Sequence, residues 1–154
     1  MTLHFAYGSN MDRTAMARRC PTAATIGPAV LEGYRFLITR DGYASVARTA
    51  GARVHGVLWR LTPRDLAALN AYEGVDGGLY TRAMLPVRNG DQRMTAMVYI
   101  GRAQAEGRPR PGYMEEVISA AREWNLPPDY VERLARWLPS GWSAARHTDA
   151  GDIA

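Results

Sequence analysis

The chain contains no lysine: all 19 residues of its Lys+Arg total are arginine. That excludes Schiff-base catalysis, a phosphate-loop lysine and a Ser-Lys dyad on chemical grounds. Cysteine occurs once, at Cys20, so no internal disulfide can form and a Cys-based zinc site has no companion ligand. The three histidines, His4, His55 and His147, share no metal-type spacing. No apolar run approaches the roughly 20 residues needed to cross a bilayer. Met1-Thr2-Leu3-His4 lacks the charged head and apolar core of a secretion signal, which points to a cytoplasmic protein.

What remains is ordinary globular material. The 154 residues are 47% hydrophobic and 22% charged, enough for one sizeable core. The formal charge of +4 permits attraction to anions. Because the arginines are scattered, small anions fit at least as well as nucleic acid. Arg18-Arg19 and Arg108 with Arg110 would have to join one basic face before a nucleic-acid reading gained support.

Leu3 to Ala6 read as a strand ending in Gly8-Ser9-Asn10, and Met11 to Arg19 as a short helix with Asn10 at its N-cap and Asp12 in its first turn. Strands are expected over Tyr34 to Thr39, Tyr43 to Arg48 and Val54 to Leu61, with Asp41-Gly42 turning between the first two. Thr62-Pro63-Arg64-Asp65 starts a helix by two signals, an N-cap threonine with an acid three residues on and a proline at the first helical position. Gly74 should end it. Two more strands, Leu79 to Val87 and Gln92 to Ile100, flank the hairpin signal Asn89-Gly90.

After the breaker Gly107 to Gly112, Tyr113, Val117, Ala121 and Trp124 recur at helical spacing. Val131, Leu134 and Leu138 share a face of a helix that begins near Pro127-Pro128-Asp129. The pattern predicts an α+β fold, a small curved mixed sheet or barrel with flanking helices, over residues 1–142, with a frayed tail at 143–154.

Two segments carry candidate chemistry. Leu66 and Leu69 define an apolar face of the helix after Thr62, and four more residues bring that face to Glu73. Burial at the negative end of a helix would raise the proton affinity of this carboxylate, which suits general acid/base work near neutral pH. The plainer alternative is a glutamate that merely ends a helix and turns to water. Gly8 and Ser9, at a strand-to-helix junction, could present N–H groups to an anion, or could simply make a capped turn. Ser9 as a nucleophile lacks the elbow pattern, with only His55 as a remote base. Tyr80, Tyr99 and Tyr113 are core residues unless other groups converge on them.

Taken in order, Tyr7-Gly8-Ser9-Asn10-Met11, Leu69-Asn70-Ala71-Tyr72-Glu73-Gly74-Val75, Gly78-Leu79-Tyr80, Tyr99, Pro111-Gly112-Tyr113 and Trp124 to Tyr130 resemble the gamma-glutamylcyclotransferase family over most of the chain. The resemblance implies a fold built around a small barrel. It implies Glu73 as acid/base, the loop Tyr7, Gly8, Ser9, Asn10 and Met11 as binder of the glutamyl carboxylate, and Tyr80, Tyr99 and Tyr113 as pocket walls. It further implies a small gamma-glutamyl substrate, no cofactor, no metal, no nucleic acid and no membrane; a homodimer is compatible with it. Asn10 departs from the Tyr-Gly-Ser-Leu loop of the glutathione-specific branch, which favours gamma-glutamyl amino acids or amines. The competing reading is a non-catalytic module that binds a small anion on the same fold.

Overall fold

In the computed structural model, which describes residues 1–103 and 105–139, five strands close into a barrel in the order β1-β3-β2-β4-β5. The strands are β1 Thr2–Ala6, β2 Ala24–Ile38, β3 Ala44–Leu61, β4 Tyr80–Asn89 and β5 Gln92–Gly101. All neighbours are antiparallel except β1 and β5, which close the barrel in parallel with His4 opposite Met97. Four helices flank it: α1 Arg13–Arg19, α2 Pro63–Tyr72, α3 Tyr113–Glu123 and α4 Pro128–Ala135. The expected tail, 143–154, lies outside the described residues. Among the described residues no helix is long and apolar enough to cross a membrane.

The capping chemistry of α2 is as the sequence predicts. The Thr62 hydroxyl accepts from the Asp65 N–H, Pro63 opens the helix, and Gly74 follows its end at φ +67. Both hairpin signals also turn the chain, with Gly42 at φ +90 and Gly90 at φ +60, values that a residue with a Cβ reaches only with strain.

Other boundaries differ. Asp12, not Asn10, caps α1: its carboxylate accepts from the Ala15 N–H, while Ser9–Met11 form a separate 3-10 turn and the helix starts at Arg13. The strands are longer than expected, because Gly27, Pro28 and Gly33 look like breakers but sit inside β2. Register shifts between Thr25 and Gly27, and between Glu32 and Tyr34, absorb Gly27 (φ +130) and Gly33 (φ +82) as bulges. Opposite the second bulge, the strands expected at Tyr43–Arg48 and Val54–Leu61 join into one, β3, whose Thr49–Ala52 stretch carries extra residues relative to β2. Leu138 lies beyond the end of α4, although it still packs against the core.

Burial follows the predicted faces. Val117 and Ala121 of α3, and Val131 and Leu134 of α4, join Leu58, Leu61 and Leu69 in the core. β1 and β3 approach so closely that a Cβ on Gly56 would lie 2.2 Å from the Ala6 carbonyl oxygen, which only glycine permits. Cys20 fills space in this core as expected. Its thiol points at the Asp65 carbonyl oxygen at 3.5 Å, and burial pushes its pKa up to about 11, so it stays a neutral thiol.

His4 on β1 is buried with Nδ1 3.1 Å from the Met97 carbonyl oxygen and its ring edge-on to Tyr99. Burial lowers its pKa to about 4, with the Met97 carbonyl opposing the shift. The unfolded chain therefore binds a proton near pH 6.5 that the folded chain refuses until about pH 4. Stability from this group is complete above that window and falls as pH drops through it, by about 3 kcal/mol at pH 4. Denaturant titrations at pH 7 and pH 4 should show a smaller acid loss in His4→Gln than in the parent. Equal losses would show that His4 does not govern the acid limb.

Candidate active site

The residues of the two candidate segments meet in space. The Asn10 side-chain amide donates to Glu73 Oε1 at 2.7 Å across a sequence separation of 63 residues. Glu73 follows α2 as its C-cap, with its backbone N–H bonded to the Leu69 carbonyl, and its side chain has no solvent exposure. The helical period that places Leu69 in the core thus carries Glu73 inward too.

The loop is held from several directions. Met11 N–H donates to the Gly8 carbonyl and Asp12 N–H to the Ser9 carbonyl, which closes the 3-10 turn. Trp124, at the end of α3, donates its indole N–H to the Met11 carbonyl at 2.7 Å. Arg19, in the last turn of α1, reaches back and donates to Ser9 Oγ at 3.1 Å and to Asn10 Oδ1 at 2.6 Å, while its guanidinium lies over the Tyr72 ring at 4.1 Å. A guanidinium, an amide and a carboxylate therefore form one connected row, Arg19 to Asn10 to Glu73. Charge-assisted bonds of this kind are short and orient both partners.

The tyrosines complete the enclosure. Tyr7 donates its hydroxyl to the Tyr99 carbonyl, and Tyr99 donates its own to Asn70 Oδ1 at 2.6 Å, on the helix that ends at Glu73. Tyr80 donates to the Ala44 carbonyl at 2.6 Å, and the Ala44 N–H donates to the Tyr113 hydroxyl at 3.2 Å. The Tyr113 hydroxyl also meets the Ser9 backbone, so one phenol touches both the loop and the start of β3. Burial is the main cause that pushes Tyr7, Tyr80, Tyr99 and Tyr113 well above the usual phenol pKa, and the Glu73 charge adds to it at each of them. All four remain neutral and act as hydrogen-bonding groups rather than bases.

Tyr7, Ser9, Asn10, Met11, Glu73, Tyr80, Tyr99 and Tyr113 are each at most 2% exposed, so the arrangement is closed to solvent. A cleft of about 910 Å³ lies elsewhere, against α4, and none of these side chains lines it. Reasoning from sequence missed Arg19, taken only as part of a basic pair, and Asn70. The latter had a signal, since it stands three residues before Glu73 on the same helical face. His55 is half-buried with its ring 4.8 Å from that of Tyr130. Among the described residues no group of three or more His, Cys, Asp or Glu side chains is placed to hold a metal ion. Among the described residues that form the enclosure, Glu73 is the one carboxylate, beside amide and hydroxyl groups. Such a set can move a proton and bind a carboxylate or carbonyl oxygen.

Comparison with known proteins gives a consistent picture. A model of the AIG2-like family matches residues 53–134. Human gamma-glutamylcyclotransferase is 26% identical over 162 aligned residues, which cover 98% of this chain and 86% of that protein. Among solved structures, a gamma-glutamyl cyclotransferase superposes with a TM-score of 0.85 at 26% identity, covering 93% of this chain and 91% of its own. YkqA from Bacillus subtilis superposes with a TM-score of 0.76 at 29% identity, covering 88% of this chain and 53% of the longer protein. The barrel with flanking helices is the architecture of these neighbours.

Proposed function

The chain belongs to the AIG2-like, gamma-glutamylcyclotransferase family, and from that premise we propose that it cyclises the gamma-glutamyl group of gamma-glutamyl amino acids or amines to 5-oxoproline, releasing the free amine. The observation that carries this reading is the hydrogen-bonded row Arg19–Asn10–Glu73, which joins the N-terminal loop to the buried carboxylate.

In the reaction, the substrate's alpha-nitrogen attacks its own gamma-carbonyl carbon. One C–N bond forms, the amide C–N bond breaks, and no water is consumed. The attacking nitrogen begins as an ammonium and the departing amine needs a proton, so a single carboxylate can accept the first proton and deliver it to the second nitrogen. On this reading Glu73 serves both steps. The loop N–H groups of Gly8 and Ser9 would hold the alpha-carboxylate, and the neutral tyrosines would wall the bent glutamyl chain. Ring closure is intramolecular, so orientation alone can lower the barrier by several kcal/mol. Because the Glu73 side chain reaches no solvent, substrate entry requires the packing over it to part.

Purified protein incubated with a panel of gamma-glutamyl amino acids and amines should release 5-oxoproline in a one-to-one ratio with free amine. Binding without product across the panel would favour the non-catalytic module. Tyr113→Phe removes the acceptor of the Ala44 N–H and the contact with Ser9. We expect a severalfold rise in KM, about 1 kcal/mol and so the low end of the cost of an unsatisfied buried group, with kcat little changed. A loss confined to kcat would instead put the phenol on the reacting atoms.

A further inference from the structure

A cleft of about 910 Å³, outside the proposed catalytic enclosure, lies between α4, β2 and the Thr49–Ala52 stretch where β3 carries extra residues. Its size is that of small-ligand sites in general. Aromatic surface forms its apolar walls: Phe36 and Trp137 meet edge-on at 6.3 Å, and Tyr130 stacks obliquely on His55.

Four arginines, Arg35, Arg53, Arg133 and Arg136, line the same cleft, against one acid, Asp129. Arg133 pairs with Asp129 at 3.5 Å and Arg35 with Glu106 at 3.7 Å, but both acids are more than half exposed and readily exchanged for another anion. Arg53 and Arg136 are exposed and, among the described residues, have no acid within ion-pair distance. The field of this cluster is felt by His55, whose pKa is lowered first by burial and then by Arg53 and Arg133. A chain of formal charge +4 has thus concentrated a net excess of three positive charges in one concavity with aromatic walls.

We propose that this cleft is a binding site for a phosphorylated aromatic small molecule of the nucleotide class, its ring against Phe36 and Trp137 and its phosphates forked by Arg53, Arg133 and Arg136. Guanidinium groups bind phosphate oxygens in pairs, and a flat ring gains from aromatic walls. A bare inorganic anion would leave the aromatic surface unused, and an extended single strand would need a basic track beyond one cleft. The site does not include Glu73 or the loop. It nonetheless adjoins them, because Phe36 packs edge-on against Tyr7 at 6.4 Å.

Isothermal titration with ADP, adenosine and pyrophosphate, each at low and moderate salt, tests the assignment. ADP should bind at one site at least about tenfold more tightly than either fragment, with affinity falling as salt rises. The double variant Arg53→Ala/Arg136→Ala, which changes two exposed side chains, should weaken ADP binding at least about tenfold without altering the melting temperature. The ring resonances of His55 in the parent protein should shift on ADP addition. Glu73→Gln should bind ADP like the parent, which separates this outcome from any failure of the cyclase reading. No ADP binding at millimolar concentration, pyrophosphate binding as tightly as ADP, an unaffected double variant, or binding of a single-stranded oligonucleotide but not of ADP would each overturn the proposal.

Discussion

Glu73→Gln should fold like the parent and release 5-oxoproline at least about a hundredfold more slowly, within the 10² to 10⁴ range that general acid–base groups supply. The glutamine keeps the volume and one carbonyl oxygen, so the bond from the Asn10 amide at 2.7 Å has an acceptor. What the variant loses is the ability to take a proton from the ammonium and return it to the leaving nitrogen. No neighbour can substitute, because Tyr7, Tyr80, Tyr99 and Tyr113 are all held neutral by burial. The buried imidazole of His4 is engaged through Nδ1 with the Met97 carbonyl and packs edge-on against the Tyr99 ring. Circular dichroism and kcat with a gamma-glutamyl amide check both halves of the expectation. Turnover equal to the parent in a folded variant would remove Glu73 from the chemistry.

The inward direction of Glu73 was legible because it needs only the helical period and one firm boundary. Thr62-Pro63 with Asp65 fixes the start of α2, Leu66 and Leu69 fix its face, and counting from them brings residue 73 inside. The strand ends were less legible for a related reason. Gly27, Pro28 and Gly33 are punctuation in a flat ladder, whereas a small closed barrel uses such residues to bend long strands through bulges. Local sequence does not say which use applies, because the choice depends on the curvature of the whole sheet.

The partners of the loop were also hidden. Asn10 is a good helix cap by composition, and its competitor Asp12 is equally good. The decision falls to Asp12 because Asn10 is drawn into bonds with Glu73 and Arg19, both supplied by other elements. Arg19 shows the same limit from the other side: a basic residue in the last turn of a helix already has a local explanation in the helix dipole. Only the fold reveals that its guanidinium reaches Ser9 and Asn10. The difference between the Tyr-Gly-Ser-Asn loop and its Tyr-Gly-Ser-Leu counterpart then acquires a physical meaning, since leucine could neither donate to Glu73 nor accept from Arg19.

Asn10→Asp turns that row into a direct test of coupling. One carboxylate oxygen of the new aspartate can keep the Arg19 contact, now as an ion pair in place of the 2.6 Å amide bond. The other would face Glu73 Oε1 across the 2.7 Å now spanned by an N–H donor, and two carboxylates at that separation cannot both remain ionised. The pair must share a proton, and it titrates as a unit rather than as two residues. Because the reaction requires an unprotonated Glu73 to begin, the acid limb of the kcat–pH profile should move upward by about one unit or more, with activity recovering as pH rises. A purely structural role for Asn10 predicts a different outcome: a uniform drop in rate, or a lower melting temperature, with the profile unmoved. Superimposable pH profiles for parent and Asn10→Asp would therefore separate the loop from the proton chemistry, even if Glu73→Gln is inactive.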